Sequence, residues 1–496
     1  MSETSRIRRF PPWAWGAALA VLAAAGGVAT AQNVPPAAAV RVDPYAVALR
    51  ADQAAILLRA LRDAPAHGFA PGAFAPPSEA ALFSTPNPAD RLASQRQLIG
   101  VTLAYARAVR VGRLSAGGFP PDWGLRPEAY DPAPEFVAAL QQDRLPAWLA
   151  DLPPPYVGYE TLQDGLKTYR EIARRGGWDA VPDGPTLKVG VRDARTQALR
   201  ARLAAEDPRA TAASGSDPNL FDEALAEDVR RAQRRFGIDP DGQVGRGTLA
   251  ALNVPLETRV GQIEANMERW RWLPRNLAAD RIQVNIAAAV LTVFNGDTPV
   301  QSMRAVTGRP GDETPMLQSA IDSIVLNPPW NVPAGIAAKE LWPKGRAYLD
   351  ANGFVAIPTG GGNFRLQQRP GPDSALGRVK FDFPNPYAVY LHDTPSQATF
   401  DRFTRLASHG CVRLQRPIEL ARAVLAGDPT WTPEAIDAAI ADGKTVRVPL
   451  PRPVAVYLLY WTAYMGTDGQ MNFRDDPYKW DALLLQRIAA GSSRQA

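Results

Sequence analysis

The fold of this 496-residue chain is decided by two short stretches, YAVYLHDTP at positions 387–395 and SHGCVRL at positions 408–414. They contain the single cysteine of the chain, Cys411, and two of its three histidines, His392 and His409. The first stretch begins with a strand pattern, and Asp-Thr-Pro breaks that strand just after His392. Gly410 allows backbone geometry closed to other residues. We therefore expect Cys411 to be presented to a substrate.

A thiol of pKa ~8.5 is mostly protonated at neutral pH, and a nearby imidazole can take its proton. His392 reaches Cys411 from a separate strand end, so we predict it as the general base. His409 is only two residues away in a glycine-containing turn, where local geometry often directs the two side chains apart. Either the side chain of Asp393 or a backbone carbonyl is expected to orient the imidazole. An isolated cysteine is more often an inert buried thiol, and here the neighbouring histidines and glycine favour a reactive one.

The same segment supplies candidates for charge stabilisation. Backbone N–H groups near Gly410 and Cys411 are placed to bind an oxyanion. Arg413 is expected either to hold a substrate carboxylate or to form a structural ion pair. A zinc site built from the cysteine and histidines would lack the paired ligand spacing typical of zinc proteins, so we predict no metal and no cofactor.

Composition limits the class of protein. A chain of this length with 46% hydrophobic residues can bury two or three cores. Its 55 Lys and Arg against 50 Asp and Glu leave a net charge of +5, without the basic tract of a nucleic-acid-binding protein. We expect no nucleic-acid partner, and the mild excess suits an anionic polymer or surface.

The N-terminus has the pattern of a secretory signal. Three arginines up to Arg9 precede the apolar run 13–28, and Ala-Thr-Ala at 29–31 fits a cleavage site. We predict a signal peptide over residues 1–31 and export of the chain. Without cleavage the run would remain as a marginal anchor in the inner membrane, because it is shorter than the ~20 residues that span a bilayer comfortably.

Helical patterns dominate the first half of the mature chain. Residues 40–210 are predicted to form a mainly helical scaffold domain, and a small polar linker follows at 211–218. Residues 218–254 combine two helices, at 225–236 and 246–252, around the loop GIDPDGQVG. This pattern resembles the small peptidoglycan-binding repeat that accompanies cell-wall enzymes.

The remainder is predicted as a β-rich domain over residues 280–475. Apolar alternation indicates strands at 281–286, 290–294, 300–306, 321–326, 445–448 and 454–462. The alternation of apolar and polar residues is lost over 327–386, and we interpret this segment as a capping insertion. This insertion is expected to be either a lid over Cys411 or a permanently packed subdomain. The predicted fold class is multidomain α+β.

The motif itself resembles the signature of L,D-transpeptidase catalytic domains, namely His392 followed by SHGCVR at 408–413. Two further segments, YLHDTP at 390–395 and NPPWNVP at 327–333, resemble the large periplasmic subfamily with a scaffold, a peptidoglycan-binding module and a capping insertion. The resemblance implies a periplasmic enzyme whose partners are peptidoglycan stem tetrapeptides and glycan strands.

For this family, the cysteine attacks the carbonyl of the third stem residue and expels the terminal D-alanine. An acceptor amine then resolves the thioester, which gives a 3-3 cross-link. The resemblance implies that Cys411 and His392 are catalytic. We further predict supporting or oxyanion roles for His409, Gly410 and Asp393, and substrate binding by Arg413, Tyr390 and Trp330. Other acceptors, an L,D-carboxypeptidase reaction with water, and a wall-binding scaffold with a degenerate catalytic domain remain open alternatives.

Overall fold

The structure is a computed structural model that describes residues 43–210 and 217–492. The signal peptide expected at 1–31, with any anchoring by it, and most of the linker at 211–218 lie outside the described residues. None of the described helices combines the length and apolar character that crossing a membrane requires.

The predicted multidomain α+β class is confirmed. Helices dominate the first half, and several of them begin at a Pro or at a capping Ser, Asn, Asp or Thr. The α-helices are α1 Ala51–Arg62, α2 Glu79–Phe83, α3 Pro88–Val111, α4 Ala133–Gln141, α5 Leu145–Asp151, α6 Val157–Arg174, α7 Arg195–Glu206, α8 Glu223–Phe236, α9 Arg246–Leu252, α10 Leu256–Trp270, α11 Ala334–Ile336, α12 Arg346–Ala351, α13 Pro417–Val424, α14 Pro433–Asp442 and α15 Trp480–Ser492.

Strands occupy the second half. They are β1 Asp280–Asn285, β2 Val290–Asn295, β3 Thr298–Gly308, β4 Leu317–Leu326, β5 Trp330–Asn331, β6 Phe354–Gly360, β7 Asn363–Gln368, β8 Val379–Asp382, β9 Leu391–His392, β10 Leu406–Ser408, β11 Val412–Leu414, β12 Val446–Leu459, β13 Ala463–Met465 and β14 Met471–Phe473. The two strands expected at 445–448 and 454–462 are one strand, β12, whose register shifts between Pro449 and Val454. A proline has no N–H for the ladder, so pairing is interrupted there without ending the strand.

The two stretches that contain His392 and Cys411 belong to one closed sheet. The strand order is β10-β3-β11-β9-β8-β4-β12-β1-β2, and β2 also pairs with β3, which closes the sheet on itself. Strand β9 runs parallel to β11, with Leu391 opposite Val412 and His392 opposite Arg413. The sheet topology therefore brings the His392 stretch and the Cys411 stretch side by side.

One domain boundary predicted from the sequence changes in the first half of the chain. One buried cluster joins α1, α3, α4 and α5. A second cluster joins α6 and α7 to the predicted peptidoglycan-binding module, with Leu199 and Leu203 packed among residues such as Leu225 and Val229. The predicted boundary at 210–218 falls inside this cluster, because the apolar faces of α7 and α8 cover each other.

The insertion is smaller than predicted. Strands β5, β6 and β7 form a separate three-stranded sheet with its own small core. Strand β8, however, belongs to the large sheet, where Val379 and Phe381 are buried in the main core. The insertion predicted at 327–386 therefore ends before β8. The predicted β-rich domain also continues past residue 475, because Leu484 of α15 is buried in that same core.

A buried charged network connects α10 to the N-terminal helices. Arg271 donates to Glu268 at 2.8 Å, to the hydroxyl of Tyr159 at 2.9 Å and to the carbonyl of His67 at 2.5 Å. Glu268 also accepts from the backbone N–H of Arg113 at 2.5 Å. Burial, followed by the charge of Arg271, lowers the pKa of His67 to about 4. We call these five residues the junction network.

Candidate active site

A cavity of about 900 Å³ lies between the large sheet and the insertion. One of its walls carries Tyr390, His392, Cys411 and Arg413. The reason is local: side chains two residues apart on a strand point to the same face, and β9 and β11 are adjacent and parallel. The two predicted catalytic side chains thus share one wall of one cavity.

The turn that presents Cys411 is fixed by three hydrogen bonds. Ser408 Oγ donates to the carbonyl of Cys411 at 2.5 Å and accepts from the N–H of Gly410 at 3.1 Å. Thr314 Oγ1 donates to the carbonyl of Gly410 at 2.8 Å. Gly410 has φ +105°, and an added Cβ would lie 3.3 Å from the carbonyl oxygen of Glu313. We predicted the N–H of Gly410 as an oxyanion donor. In the structure this N–H already donates a hydrogen bond to Ser408 Oγ.

His392 is buried and held in one orientation. Its Nδ1 lies 2.5 Å from the carbonyl oxygen of Asp393. A carbonyl oxygen can only accept, so Nδ1 carries the proton and Nε2 has a free lone pair. Burial, then the charges of Arg413 and Lys380, lowers the pKa of His392 to about 3. The ring is therefore neutral at neutral pH and able to accept a proton at Nε2.

The surroundings of Cys411 have opposing effects on the pKa of its thiol. Burial raises the pKa of its thiol, whereas a hydrogen bond from Tyr390 and the charges of Lys380 and Arg413 lower it. The pKa of Tyr390 is raised by burial and by the nearby Cys411, and a hydrogen bond from Trp330 acts the other way. At rest the cavity accordingly holds a neutral thiol and a neutral imidazole, with cations ready to stabilise a thiolate.

Asp393 contacts the His392 imidazole through its backbone carbonyl, not through its carboxylate. Its carboxylate accepts from the backbone N–H groups of Arg378 at 2.8 Å and of Thr394 at 2.7 Å, so it braces the loop after β9. Burial raises the pKa of this carboxyl group. Of the two orienting groups considered from the sequence, the carbonyl is the one in contact with the ring.

Arg413 faces the cavity without a counter-ion. Among the residues that the structure describes, no carboxylate lies within ion-pair distance of its guanidinium, and its buried Nε has no hydrogen-bond acceptor. Burial lowers its pKa. A structural ion pair is thus not formed, and the charge is available to a ligand in the cavity.

His409 contacts the insertion. Its Nε2 lies 2.7 Å from Glu340 Oε1, and Glu340 is also 3.5 Å from Arg309 Nη2. The hydrogen bond from His409 lowers the pKa of Glu340. Reasoning from the sequence missed Glu340, because nothing near it in the chain indicates a contact with a histidine 69 residues away.

Lys380 was also missed. Its Nζ lies 4.2 Å from the centre of the Tyr390 ring and 2.6 Å from Asp382. The signal that could have found it is the alternation of Val379, Lys380, Phe381 and Asp382, which is typical of a strand with one face in the core.

The arrangement provides a nucleophile, a neutral base and a free cation around one space. Such a set suits covalent catalysis on a carbonyl group of an anionic ligand. Across residues 43–210 and 217–492, no group of three or more His, Cys, Asp and Glu side chains gathers in a way that could hold a metal ion.

Comparison with known proteins identifies three regions. Residues 279–432 match the family model described as "L,D-transpeptidase catalytic domain". Residues 47–166 match the "Scaffold domain" model, and residues 192–252 match the "Putative peptidoglycan binding domain" model. The chain therefore carries an L,D-transpeptidase catalytic domain with a scaffold domain and a peptidoglycan-binding domain, and the recognition of this set from the sequence is confirmed.

A relative named "Putative L,D-transpeptidase" from Haemophilus influenzae is 31% identical over 233 residues, which cover 43% of this chain and 47% of the relative. The match thus spans about half the length of that curated protein. Among solved structures, an L,D-transpeptidase from Mycobacterium smegmatis is 14% identical, with 37% of this chain and 59% of that chain covered and a TM-score of 0.20. L,D-transpeptidase 1 of Mycobacterium tuberculosis is 14% identical, with 36% and 61% covered and a TM-score of 0.17.

Proposed function

We propose that this protein is a peptidoglycan L,D-transpeptidase that forms 3-3 cross-links through a thioester on Cys411. The observation that carries the proposal is the shared cavity wall: Cys411, a neutral His392 and an unpaired Arg413 face one space inside the region that matches the catalytic-domain family. The peptidoglycan-binding and scaffold domains support the same substrate class. The protein acts in the periplasm after export.

In the first half-reaction, Nε2 of His392 takes the proton from the Cys411 thiol, and Sγ attacks the carbonyl carbon of the third stem residue. The C–S bond forms, and the C–N bond to the terminal D-alanine breaks. The proton passes from His392 to the departing amine. The neutral resting state of His392 fits this role, because a base must be unprotonated when the substrate arrives.

In the second half-reaction, the side-chain amine of an acceptor stem attacks the thioester carbonyl. A C–N bond forms, the C–S bond breaks, and the proton lost by the amine returns to the Cys411 sulfur by way of His392. Attack by water instead of the amine would give the L,D-carboxypeptidase reaction. The oxyanion of both steps is stabilised by the N–H of Cys411, since the N–H of Gly410 is engaged by Ser408.

Substrate binding uses the groups that line the rest of the cavity. Arg413 holds a carboxylate of the donor stem, because a charge-assisted hydrogen bond is strongest where the cation has no other partner. Tyr390 stabilises the thiolate and contacts the donor next to the reacting bond. Trp330 contributes an aromatic face from the insertion side.

The test is product analysis. Purified protein is incubated with disaccharide-tetrapeptides, and the products are identified by mass spectrometry. We expect 3-3 cross-linked dimers and free D-alanine, and neither with Cys411→Ala. Tripeptide without dimer would replace the transpeptidase by a carboxypeptidase. Absence of both products, with an unlabelled Cys411, would leave a wall-binding protein with a degenerate domain.

A further inference from the structure

The insertion reaches the catalytic turn through one carboxylate. Glu340 Oε1 lies 2.7 Å from His409 Nε2, while Glu340 also lies 3.5 Å from Arg309 in the loop after β3. Arg309 is in turn 2.7 Å from Asp312 of the same loop. Glu340 therefore bridges two separate points of the catalytic domain.

The other residues of the turn are held from within their own domain. Ser408 and Thr314 fix the backbone on either side of Gly410. The His409 side chain is different, because its hydrogen-bond partner comes from the insertion. The His409 ring lies two residues from Cys411 and lines the same cavity, and its hydrogen-bond partner belongs to the insertion.

The segment that carries Glu340 is itself anchored. It is a π-helical turn over Ala337–Leu341, a rare geometry that is frequent at functional sites. Its two ends, Ala337 and Leu341, are buried in the core of the insertion. The backbone that carries Glu340 is thereby anchored on both sides, which suits a positioning group.

We propose that Glu340 is a positioning residue of the active site, and that its carboxylate orients His409 beside Cys411. The inference rests on the proposed function, and it deepens that function by making the insertion part of the reacting site. It also assigns Glu340 a role that its exposure and distance in sequence would not suggest. The carboxylate accepts a hydrogen bond from Nε2, so it fixes both the rotation of the ring and the position of one proton.

Three single variants of the full-length protein test this role. Glu340→Ala removes the hydrogen bond, and Glu340→Gln keeps an acceptor oxygen without the charge. Asp350→Ala is the matched control, because Asp350 is an exposed carboxylate of the same insertion that pairs only with Arg346 of its own helix. The rates of acyl-enzyme formation from a disaccharide-tetrapeptide are compared, with kcat and KM determined separately.

We expect Glu340→Ala to lower kcat by about 10-fold to 100-fold with little change in KM, because a displaced group beside the reacting atoms affects the transition state more than binding. Glu340→Gln is expected to keep kcat within about 3-fold of the wild type, and Asp350→Ala to leave it unchanged. The melting temperatures of all three should equal that of the wild type, since the Glu340 side chain is 42% exposed and its ion pairs are partly solvated.

Wild-type kcat for Glu340→Ala, or an equal loss in Asp350→Ala, would overturn the inference. A second readout separates it from the proposed function: the rate at which iodoacetamide alkylates Cys411, which needs no peptidoglycan. We expect Glu340→Ala to slow alkylation and Glu340→Gln to leave it near the wild-type rate. If the wild type forms no acyl-enzyme, the proposed function fails, and the alkylation series alone decides the role of Glu340.

Discussion

Two partly or fully buried histidines lie next to an arginine in this molecule, one in the junction network and one in the cavity. In both places burial is the largest cause of a lowered pKa, and the arginine adds to it. The arginines differ. Arg271 has a carboxylate, a hydroxyl and a carbonyl as partners, whereas Arg413 has no carboxylate partner among the described residues.

The different partners of the two arginines distinguish a structural role from a role in binding or catalysis. A buried charge whose hydrogen bonds are met within the protein stabilises one arrangement of helices. A buried charge left unpaired at a cavity wall costs stability, and such a cost is typical of a site that binds a ligand. The same pair of residue types, His and Arg, therefore belongs to the junction network in one place and to the proposed active site in the other.

The largest effect is expected from exchanging the two histidines for alanine. His392→Ala should lower acyl-enzyme formation by about 100-fold to 10,000-fold, because the thiol loses its proton acceptor. His67→Ala should leave that rate unchanged and cost about 1 kcal/mol of unfolding free energy through its lost hydrogen bond to Tyr159, at 3.0 Å. Rates come from intact-protein mass spectrometry. An inactive His409→Ala beside an active His392→Ala would reverse the assignment of the base.

Glu268→Ala tests the structural side of the comparison. It would leave Arg271 buried without its carboxylate, so we expect a loss of about 3–5 kcal/mol in unfolding free energy, measured in urea. The control is Glu171→Ala, whose exposed pairs with Arg174 and Arg175 should contribute less than about 1 kcal/mol. An unchanged stability of Glu268→Ala would show that the junction network does not hold the helices together.

Arg413→Met tests the chemical side. It keeps the apolar part of the side chain and removes the charge, so we expect KM for a tetrapeptide donor to rise about 10-fold to 100-fold while stability is unchanged or higher. Arg416→Met is the control, because Arg416 is exposed and pairs with Glu419 outside the cavity. If KM stays the same and the protein unfolds more easily, Arg413 has a structural role like that of Arg271.

The pH dependence of Cys411 alkylation gives the smallest and most specific effect. Since the pKa of His392 is lowered to about 3, the ring stays neutral throughout the range from pH 5 to pH 9. The pKa of the thiol is raised, so the rate should increase only as the pH passes above the ordinary thiol value. A step near the ordinary imidazole value that disappears in His392→Ala would show a thiolate–imidazolium pair at rest.

Much of this organisation follows from local patterns. Residue spacings of two or four predict strands β1 to β4, helices α8 and α9 and the turn at Gly410. The strand break after His392 predicts that its side chain lies at a strand end. The contacts that complete the site are not local. Glu340 contacts His409, which is 69 residues away in sequence, and Arg113 contacts Glu268, which is 155 residues away. No short-range sequence pattern predicts such contacts.

The misplaced boundaries have a similar cause. Proline and glycine obscured the strand character of β8, so Lys380 was assigned to the insertion although its neighbours Val379 and Phe381 are buried in the main core. Helix α7 was placed in the scaffold because its partner α8 follows a polar linker, yet the two share one buried cluster. A polar stretch in the sequence therefore does not mark a domain boundary here, because the shared burial of α7 and α8 places both helices in one unit.

The central claim is that Cys411, with His392 and the unpaired Arg413, carries out the chemistry of this protein. Its most direct test is the intact mass of the full-length protein after brief mixing with a disaccharide-tetrapeptide. The account predicts one adduct of the disaccharide-tripeptide, mapped to Cys411 and lacking the terminal D-alanine, and no adduct on Cys411→Ala. An adduct that retains D-alanine, an adduct on another residue, or turnover by Cys411→Ala would contradict it.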